Sequence, residues 1–378
     1  MRLSAERAEE DRHAADVVKR RVTECAEEWF GTGTGPASAV RVRQVDSRPR
    51  ALLLAVYLGE DPGTPRVIAK VRREPSASSP GQVPRRPVLA AGVPSVSELS
   101  AMEYDGLRSL HEMFSDTDPR FGSVRPLDHL QQENVILMEY VQAATLRRRL
   151  LAQNRVSSRH PFRAQDSWEP WRRAGAWLRV FQQATPHGER PARQGTREDV
   201  LERFDAYGSY LSQRLGTRFA DLGTRGSELA AGVLPDRLPM AVAHGDFAPR
   251  NVFVGRDDRL TVFDPMPWWV VPAHEDLGRM LVSVRLLGLQ VHTHGRAFSR
   301  TTVDRVEREV IHGYAGDGPV QVEQLRCYEL LVLFDKWSAL LDAAERGRSP
   351  LRRSSLIRAT AYVREQADAV LDLAGAGR

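Results

Sequence analysis

The sequence is poor in several kinds of residue, and each scarcity argues against a class of protein. Its 378 residues include only two cysteines, Cys25 and Cys327, which lie too far apart in sequence to form a disulfide framework or a zinc motif. No apolar run approaches the roughly 20 residues that a membrane-spanning helix needs. The first segment, MRLSAERAEEDRHAADVVKRR, is too polar for a signal peptide. These absences predict a cytoplasmic protein with no transmembrane segment.

Lysine is also scarce, because only Lys19, Lys70 and Lys336 occur among the 54 basic residues. The net charge is +5, but arginines and acidic residues alternate along most of the chain. That alternation is typical of a solvated surface rather than a phosphate-binding stripe, so we expect no nucleic-acid partner. The run TLRRRLLAQNRVSSRHPFR (145–163) has six arginines and no acid. A solvated helix face explains it most simply, while an anionic sugar or peripheral contact with an anionic lipid surface stays open.

The hydrophobic pattern divides the chain near residue 141. Before that point, helical spacing occurs at 4–30 and 97–114, and strand-like runs lie at 39–45, 51–58, 66–72, around Val124–Leu127 and at 134–141. After it, helical patterns dominate: 144–153, 168–184, 196–214, 275–289, 300–314, 320–345 and 350–373. We therefore predict an α+β protein with a five-stranded antiparallel N-lobe (1–141) and a mainly helical C-lobe (142–378). The proline-rich stretch 74–95 is predicted to be a flexible insertion.

Lys70 lies within the apolar strand-like run VIAKV. A charged side chain on such a strand is costly unless it meets an opposite charge or reaches solvent at a sheet edge. Glu103, in the middle of the next predicted helix, is the preferred partner, and Glu98 on the same helix is the weaker candidate. Such a pair would hold an ammonium group ready for polyphosphate oxygens.

The segment AHGDFAPRNVFVGRDDRLTVFDP (243–265) carries the most informative spacing. Asp246 follows a strand-like run, where its carboxylate can accept a proton from an attacking hydroxyl. Asn251 and Asp264 flank two further strand-like runs, and a hairpin over GRDD would bring them together as hard ligands for Mg²⁺. Each residue alone has an ordinary structural explanation as a turn or a cap, and His244 is favoured as a structural hydrogen-bonding residue. Together they supply the parts that phosphoryl transfer needs.

These motifs, HGDFAPRN and VFDP, resemble those of the aminoglycoside phosphotransferase and choline kinase-like branch of the protein-kinase fold. The resemblance implies a two-lobed protein-kinase-like fold. It also implies that Asp246 is the catalytic base, that Asn251 and Asp264 hold Mg²⁺, and that Lys70, backed by Glu103, contacts the α- and β-phosphates of ATP. GTP as an alternative nucleotide stays open.

The same resemblance suggests further contacts. MEYV (138–141) falls at the family's hinge, so the backbone of Glu139 and Val141 would reach the adenine. Asp276, in HEDLGRM, would brace the catalytic loop or, more simply, cap a helix. The chain departs from protein kinases because it has no glycine-rich loop, and HGD and DP stand where HRD and DFG would be. The first turn reads QVDSRPRAL, so Ser47 or backbone amides would have to contact the nucleotide there.

The sequence thus predicts an ATP- and Mg²⁺-dependent phosphotransferase acting on a hydroxyl of a small molecule: a sugar, a glycoside or an aminoglycoside-like compound. Trp268 and Trp269 could stack on a sugar face or pack in the core. Charges from residue 265 onward are nearly balanced, so no acidic excess favours a polycationic acceptor. The alternatives are a non-catalytic nucleotide-binding regulator and, less favoured, a protein Ser/Thr kinase.

Overall fold

The computed structural model describes residues 2–31, 40–48, 50–59, 63–74, 87, 94–115, 118–153, 167–345 and 350–375. Their backbone forms two compact units. The first comprises Met1–Pro80, Gly92–Gln142 and Thr261–Met266, and the second comprises Gly81–Ala91, Ala143–Leu260 and Pro267–Arg378, with only the described residues considered in each. Most of the predicted insertion at 74–95, and the second half of the arginine run, lie outside the described residues.

Helices and strands alternate early in the chain, and helices dominate later. The helices are α1 Arg2–Phe30, α2 Val96–Phe114, α3 Leu146–Ala152, α4 Glu169–Ala184, α5 Arg197–Leu215, α6 Ala220–Val233, α7 His274–Arg285, α8 Gly288–His292, α9 Arg300–Ala315, α10 Val322–Glu345 and α11 Pro350–Gly375. The strands are β1 Arg41–Arg48, β2 Ala51–Tyr57, β3 Val67–Arg72, β4 Phe121–Ser123, β5 Pro126–Leu130, β6 Val135–Glu139, β7 Ala144–Thr145, β8 Met240–Val242, β9 Val252–Val254, β10 Leu260–Val262 and β11 Val270–Pro272. None of the helices in the described ranges is long and apolar enough to cross a membrane.

The first unit contains a five-stranded antiparallel sheet in the order β1-β2-β3-β6-β5. This confirms the predicted α+β class and five-stranded sheet. The strand expected at Val124–Leu127 lies slightly later, at Pro126–Leu130. Alternation along β3 buries Val67, Ala69 and Val71 in a cluster that also contains residues of α1. The intervening residues, including Lys70, therefore lie on the opposite face of the sheet.

Helix α2 begins with a capping box that decides the role of Glu98. The Glu98 carboxylate accepts hydrogen bonds from the backbone N–H and the hydroxyl of Ser95, at 2.7 and 2.8 Å, and the Ser95 hydroxyl accepts from the Glu98 N–H. This reciprocal arrangement satisfies backbone donors at the start of the helix. Glu98 is therefore a capping residue. Of the two residues predicted as partners for Lys70, Glu103 is the one that remains.

The second unit is built around helices α5, α6, α10 and α11, which share one large apolar cluster. Helix α6 was not predicted, because its sequence ADLGTRGSELAAGV contains three glycines. The continuous helix predicted at 275–289 is divided into α7 and α8. Strands β8 and β11 pair antiparallel and lead directly into the HGD segment and into α7.

Candidate active site

Four charged side chains of the first unit meet at the end of β3. The Lys70 Nζ lies 2.6 Å from Glu103 Oε1 and 2.5 Å from Asp264 Oδ1. Arg72 Nε donates to Glu103 Oε2 at 2.7 Å, and its Nη2 lies 4.0 Å from Asp264 Oδ1. Lys70 and Arg72 lie two residues apart on one strand, so they share a face. The structure therefore brings together Lys70, Glu103 and Asp264. The contact between Lys70 and Glu103 was predicted from the sequence.

Opposite charges in this cluster offset the cost of burial to different extents. Burial lowers the pKa of Lys70, but the carboxylates of Asp264 and Glu103 outweigh it, so the pKa is raised. Burial raises the pKa of Asp264, yet the Lys70 ammonium reverses the effect and holds it well below its usual range. Glu103 is the most deeply buried, and burial keeps its pKa raised even beside Lys70. A lysine held charged in this way is suited to bind polyphosphate oxygens.

The backbone at Asp264 is unusual. Its φ is +63°, in the left-handed region that non-glycine residues rarely adopt. Such a conformation costs about 1–3 kcal/mol and persists only where the surrounding structure enforces it. Here the ion pair with Lys70 holds the side chain, so the strained residue is also the one whose carboxylate is predicted to hold Mg²⁺.

In the second unit, the HGD segment leaves β8 and ends in a one-turn helix at Pro249–Asn251. The side-chain amide of Asn251 donates to the backbone carbonyl of Asp246 at 2.8 Å and to its Oδ2 at 2.9 Å. Arg250 Nη2 contacts both carboxylate oxygens of Asp246, at 2.5 and 2.6 Å. The Asp246 side chain remains 30% exposed, which leaves its carboxylate accessible to an acceptor.

Asp276 braces this segment, as the sequence resemblance implied. Its carboxylate accepts hydrogen bonds from the backbone N–H groups of His244 and Gly245, at 2.5 and 3.1 Å. Burial raises the pKa of Asp276, against the lowering effect of His244. The start of α7 has no side-chain cap, so the alternative role as a helix cap is not the one seen. Asp276 therefore fixes the loop from which Asp246 projects.

His244 is a structural residue in this arrangement. It is fully buried, and its ring lies 5.8 Å from that of Trp177 and 5.7 Å from that of Phe247. Trp177 stacks on Phe247 at 5.7 Å and on Phe181 at 5.2 Å. These rings form an aromatic layer between α4 and the loop, which supports the HGD segment.

Next to Asp276, Glu275 is buried among three arginines. Its Oε1 lies 2.6 Å from both Arg193 and Arg279, and its Oε2 lies 3.5 Å from Arg203. Burial raises the pKa of Glu275, but the arginines outweigh it and lower it to about 2. Glu275 is thus ionised. Its ion pairs connect the start of α7 to α5, through Arg203, and to the segment that precedes α5, through Arg193.

A family model matches the part of the chain that contains these site residues. The model of the APH phosphotransferase enzyme family matches residues 55–314, which include Lys70, Glu103, the HGD segment and Asp264. The chain belongs to the APH phosphotransferase family. Members of this family transfer phosphate to hydroxyl groups, and the chain is accordingly a small-molecule kinase. No curated protein matches it.

Solved structures of similar fold include kinases of two substrate types. A choline/ethanolamine kinase family protein from Mesorhizobium loti is 13% identical, with a TM-score of 0.54 and coverage of 95% of this chain and 98% of that one. Choline kinase from Cryptosporidium parvum Iowa II is 10% identical, with a TM-score of 0.53 and coverage of 95% and 97%. A thermostable mutant of an aminoglycoside phosphotransferase, solved with AMP-PNP and hygromycin B, is 13% identical, with a TM-score of 0.53 and coverage of 94% and 99%. These likenesses confirm the protein-kinase-like fold.

In this APH-family chain, the predicted hinge residues lie where the sheet ladder ends. The N–H of Glu139 donates to the Arg125 carbonyl at 2.9 Å, so this N–H is already engaged within the sheet. Val141 follows the last paired residue of β6, and its side chain packs beside Ile136 and Met138. Ser47 is exposed on β1, opposite Leu52. The nucleotide contacts of Glu139, Val141 and Ser47 stay predictions.

The residues predicted to hold Mg²⁺ fit that ion chemically. Since the Asn251 nitrogen donates to Asp246, its oxygen is the atom available to a cation. Asp264 is held ionised, as a ligand must be. The described part of the chain has no group of three or more His, Cys, Asp and Glu side chains that could hold a metal. Mg²⁺ commonly binds through one or two protein ligands together with substrate phosphates, and each of these residues separately offers an oxygen of the kind it prefers. Their binding of Mg²⁺ stays a prediction.

The paired tryptophans lie beside the strand that leads to the HGD segment. Trp269 accepts a backbone hydrogen bond from Ala243 at 2.9 Å. The guanidinium of Arg193 lies 5.1 Å from the Trp269 ring centre, and the two indole rings meet edge to face at 6.1 Å. Arg193 covers one face of Trp269, so Trp268 is the better candidate for stacking on an acceptor.

Several site residues escaped the sequence reasoning. Arg72 had a usable signal, because it lies two residues after Lys70 and so on the same face of the strand. Arg250 and Arg279 had no such signal in the sequence. The chain has more than fifty arginine and lysine residues, and their spacing does not show which of them contact a carboxylate.

Proposed function

We propose that the chain is an ATP- and Mg²⁺-dependent kinase that phosphorylates a hydroxyl of a sugar, a glycoside or an aminoglycoside-like small molecule. The observation that carries the proposal is the cluster in which Lys70 contacts both Glu103 and Asp264. It joins a phosphate-binding cation to a carboxylate suited to the metal, which are two of the parts that kinase-type phosphoryl transfer requires. The cytoplasm supplies both ATP and Mg²⁺, and we place the protein there.

In the proposed mechanism, Asp246 orients the acceptor hydroxyl and takes its proton as the oxygen attacks the γ-phosphorus of ATP. A new bond forms between that oxygen and phosphorus, the bond to the β–γ bridging oxygen breaks, and ADP leaves. Lys70 offsets negative charge on the α- and β-phosphates. Asn251 positions Asp246 through its amide nitrogen. When bound, Mg²⁺ supplies further charge stabilisation on the phosphates.

Transfer of labelled γ-phosphate from ATP to a panel of sugars, glycosides, aminoglycosides and choline-like alcohols tests this proposal. We expect label on one acceptor class, its loss when EDTA removes Mg²⁺, and its return when Mg²⁺ is restored. Tight ATP binding without transfer to any acceptor would contradict the proposal and favour a nucleotide-binding regulator.

A further inference from the structure

The carboxylate of Asp246 has most of its hydrogen-bonding capacity occupied. An ionised carboxylate accepts about four hydrogen bonds, two at each oxygen. Oδ2 receives one from Arg250 and one from Asn251, whereas Oδ1 receives one from Arg250. The position that can still accept a hydrogen bond is therefore on Oδ1. When the hydroxyl of the molecule to be phosphorylated donates a hydrogen bond to Oδ1, it lies directly beside the guanidinium of Arg250.

Arg250 has donors left for that acceptor. Its hydrogen bonds to other described side chains all leave from Nη2, and a guanidinium carries five N–H groups. The groups on Nε and Nη1 remain, and the side chain is 36% exposed. Each of these two nitrogens can donate a separate charge-assisted hydrogen bond to an oxygen of a carboxylate or phosphate group.

The carboxylates near the HGD segment within the second unit are already engaged. Asp246 pairs with Arg250, Glu275 pairs with three arginines, and Asp276 accepts two backbone N–H groups. Among these three acidic groups, an amine-bearing acceptor would therefore find only the open position on Asp246 Oδ1, whose charge Arg250 already offsets. An ammonium beside Asp246 would also lie next to a fixed guanidinium, where like charges repel.

Lys336 also interacts electrostatically with Asp246. Lys336, one of the three lysines of the chain, lies half-buried on α10. Burial lowers its pKa, as do the charges of Arg279 and Arg250, while Asp246 and Asp335 oppose them. Lys336 thus interacts electrostatically with Asp246, while burial and the neighbouring arginines oppose its protonation.

We propose that Arg250 determines acceptor specificity, so that the kinase prefers hydroxyl compounds bearing a carboxylate, phosphate or sulfate group over neutral or amine-bearing ones. The acceptor hydroxyl donates to Asp246 Oδ1, and the anionic substituent binds the free N–H groups of Arg250. During transfer the hydroxyl proton passes to Asp246, the oxygen bonds to the γ-phosphorus, and ADP leaves. This inference rests on the proposed kinase function and narrows its substrate class.

Two matched sets of acceptors test the preference. One is glucose, glucuronate and glucosamine; the other is glycerol, glycerate and 3-aminopropane-1,2-diol. Each compound differs from the neutral member of its set chiefly in one substituent: at C6 in glucuronate, at C2 in glucosamine, and at one terminal carbon in the glycerol set. The kcat/KM for transfer from ATP is measured for wild type, Arg250→Gln, Arg250→Lys and Arg256→Gln. Arg256 lies on the exposed turn of the same segment, so its variant removes an equal charge without touching Asp246.

In at least one set, we expect wild type to prefer the anionic acceptor over the neutral one by about tenfold, which corresponds to about 1.4 kcal/mol. Arg250→Gln should remove that preference mainly through KM, Arg250→Lys should restore part of it, and Arg256→Gln should keep it. Titration calorimetry of glucuronate and glucosamine against nucleotide-free protein should show the same order. A purely structural Arg250 would change the rates for all three acceptors equally.

The outcomes separate this inference from the proposed function. Transfer that favours the amine-bearing or neutral acceptor, or an anionic preference that survives in Arg250→Gln, overturns the inference while the kinase function stands. Transfer to no acceptor of any charge contradicts the kinase function, and the inference is rejected with it.

Discussion

At the scale of single residues, Lys70 shows how the site keeps charge in a buried position. Its side chain is 12% exposed and that of Glu103 is 1% exposed, so neither is well hydrated. Two carboxylates, Glu103 and Asp264, face two cations, Lys70 and Arg72, which balances the cluster. Removing one member leaves an uncompensated buried charge, which is more damaging than the loss of an exposed pair.

The first prediction concerns Glu103. Glu103→Gln removes the charge that holds both Lys70 and Arg72, so Lys70 should lose its fixed position. We expect the KM for ATP to rise about tenfold, in line with the loss of about 1.4 kcal/mol of binding. Steady-state kinetics with varied ATP measures it. Glu112→Gln, at an exposed position on the same helix, is the control and should leave KM unchanged. An unaltered KM in Glu103→Gln would refute the role given to the cluster.

The second prediction concerns pH. The pKa of Glu275 is lowered to about 2 in the folded protein, from an ordinary 4.5. Its stabilisation is therefore fully present above about pH 4.5 and is lost as the pH falls toward 2. Glu275→Gln should lower the free energy of unfolding at pH 7 by about 3 kcal/mol, because the three arginines lose their anion.

Denaturant unfolding of wild type and Glu275→Gln between pH 7 and pH 3 measures this difference. The gap between the two proteins should narrow as the pH falls below 5. Glu228→Gln, at an exposed site on α6, should follow wild type throughout. A gap that stays constant down to pH 3 would show that Glu275 does not act through its charge.

Some residues of the candidate site could be predicted from the sequence, and others could not. Lys70 was identifiable because a charge inside an apolar strand requires an explanation, and Glu103 because it lies on the next helix. Arg250 was not, since its partner is fixed by the one-turn helix at Pro249–Asn251 rather than by a regular spacing. Asp276 was expected to brace the HGD segment, and its two backbone hydrogen bonds show how it does so.

At the scale of elements, α5 and α6 pack through glycines. A Cβ on Gly208 would lie 2.9 Å from the Gly223 Cα, and a Cβ on Gly223 would lie 2.8 Å from the Gly208 Cα. Both distances are shorter than real Cβ contacts, so the helices approach each other only because both positions lack a side chain. Gly223 is one of the three glycines for which α6 escaped the sequence prediction, since glycine lowers helix propensity even where tertiary packing requires it.

The third prediction follows from this close approach. Gly223→Ala should lower the free energy of unfolding by about 2 kcal/mol, because the added methyl group forces the helix backbones apart. Thermal or denaturant unfolding measures it. Gly195→Ala is the control, since no atom lies within 4 Å of its added Cβ and it should be neutral. A Gly223→Ala protein as stable as wild type would show that α5 and α6 separate without cost.

At the scale of the whole molecule, the order of the motifs predicted more than any single motif did. A strand lysine, a helix glutamate, HGDFAPRN and VFDP occur in the sequence in the order typical of the APH family, and the family model matches residues 55–314. The fold was predictable because that order constrains the topology. The acceptor was not, because the charges that act on Asp246 include those of Arg250 and Lys336, which the fold brings together from separate segments.

The most direct test of the account is a comparison of phosphoryl transfer and ATP binding in Asp246→Asn and wild type. Asp257→Asn is the matched control, because Asp257 lies on an exposed turn with φ +53°, which asparagine tolerates. We predict that Asp246→Asn binds ATP as wild type does but transfers phosphate at least about a hundredfold more slowly, the lower range of general-base contributions. Asp257→Asn should match wild type in both. An Asp246→Asn protein that transfers phosphate at the wild-type rate would contradict the account.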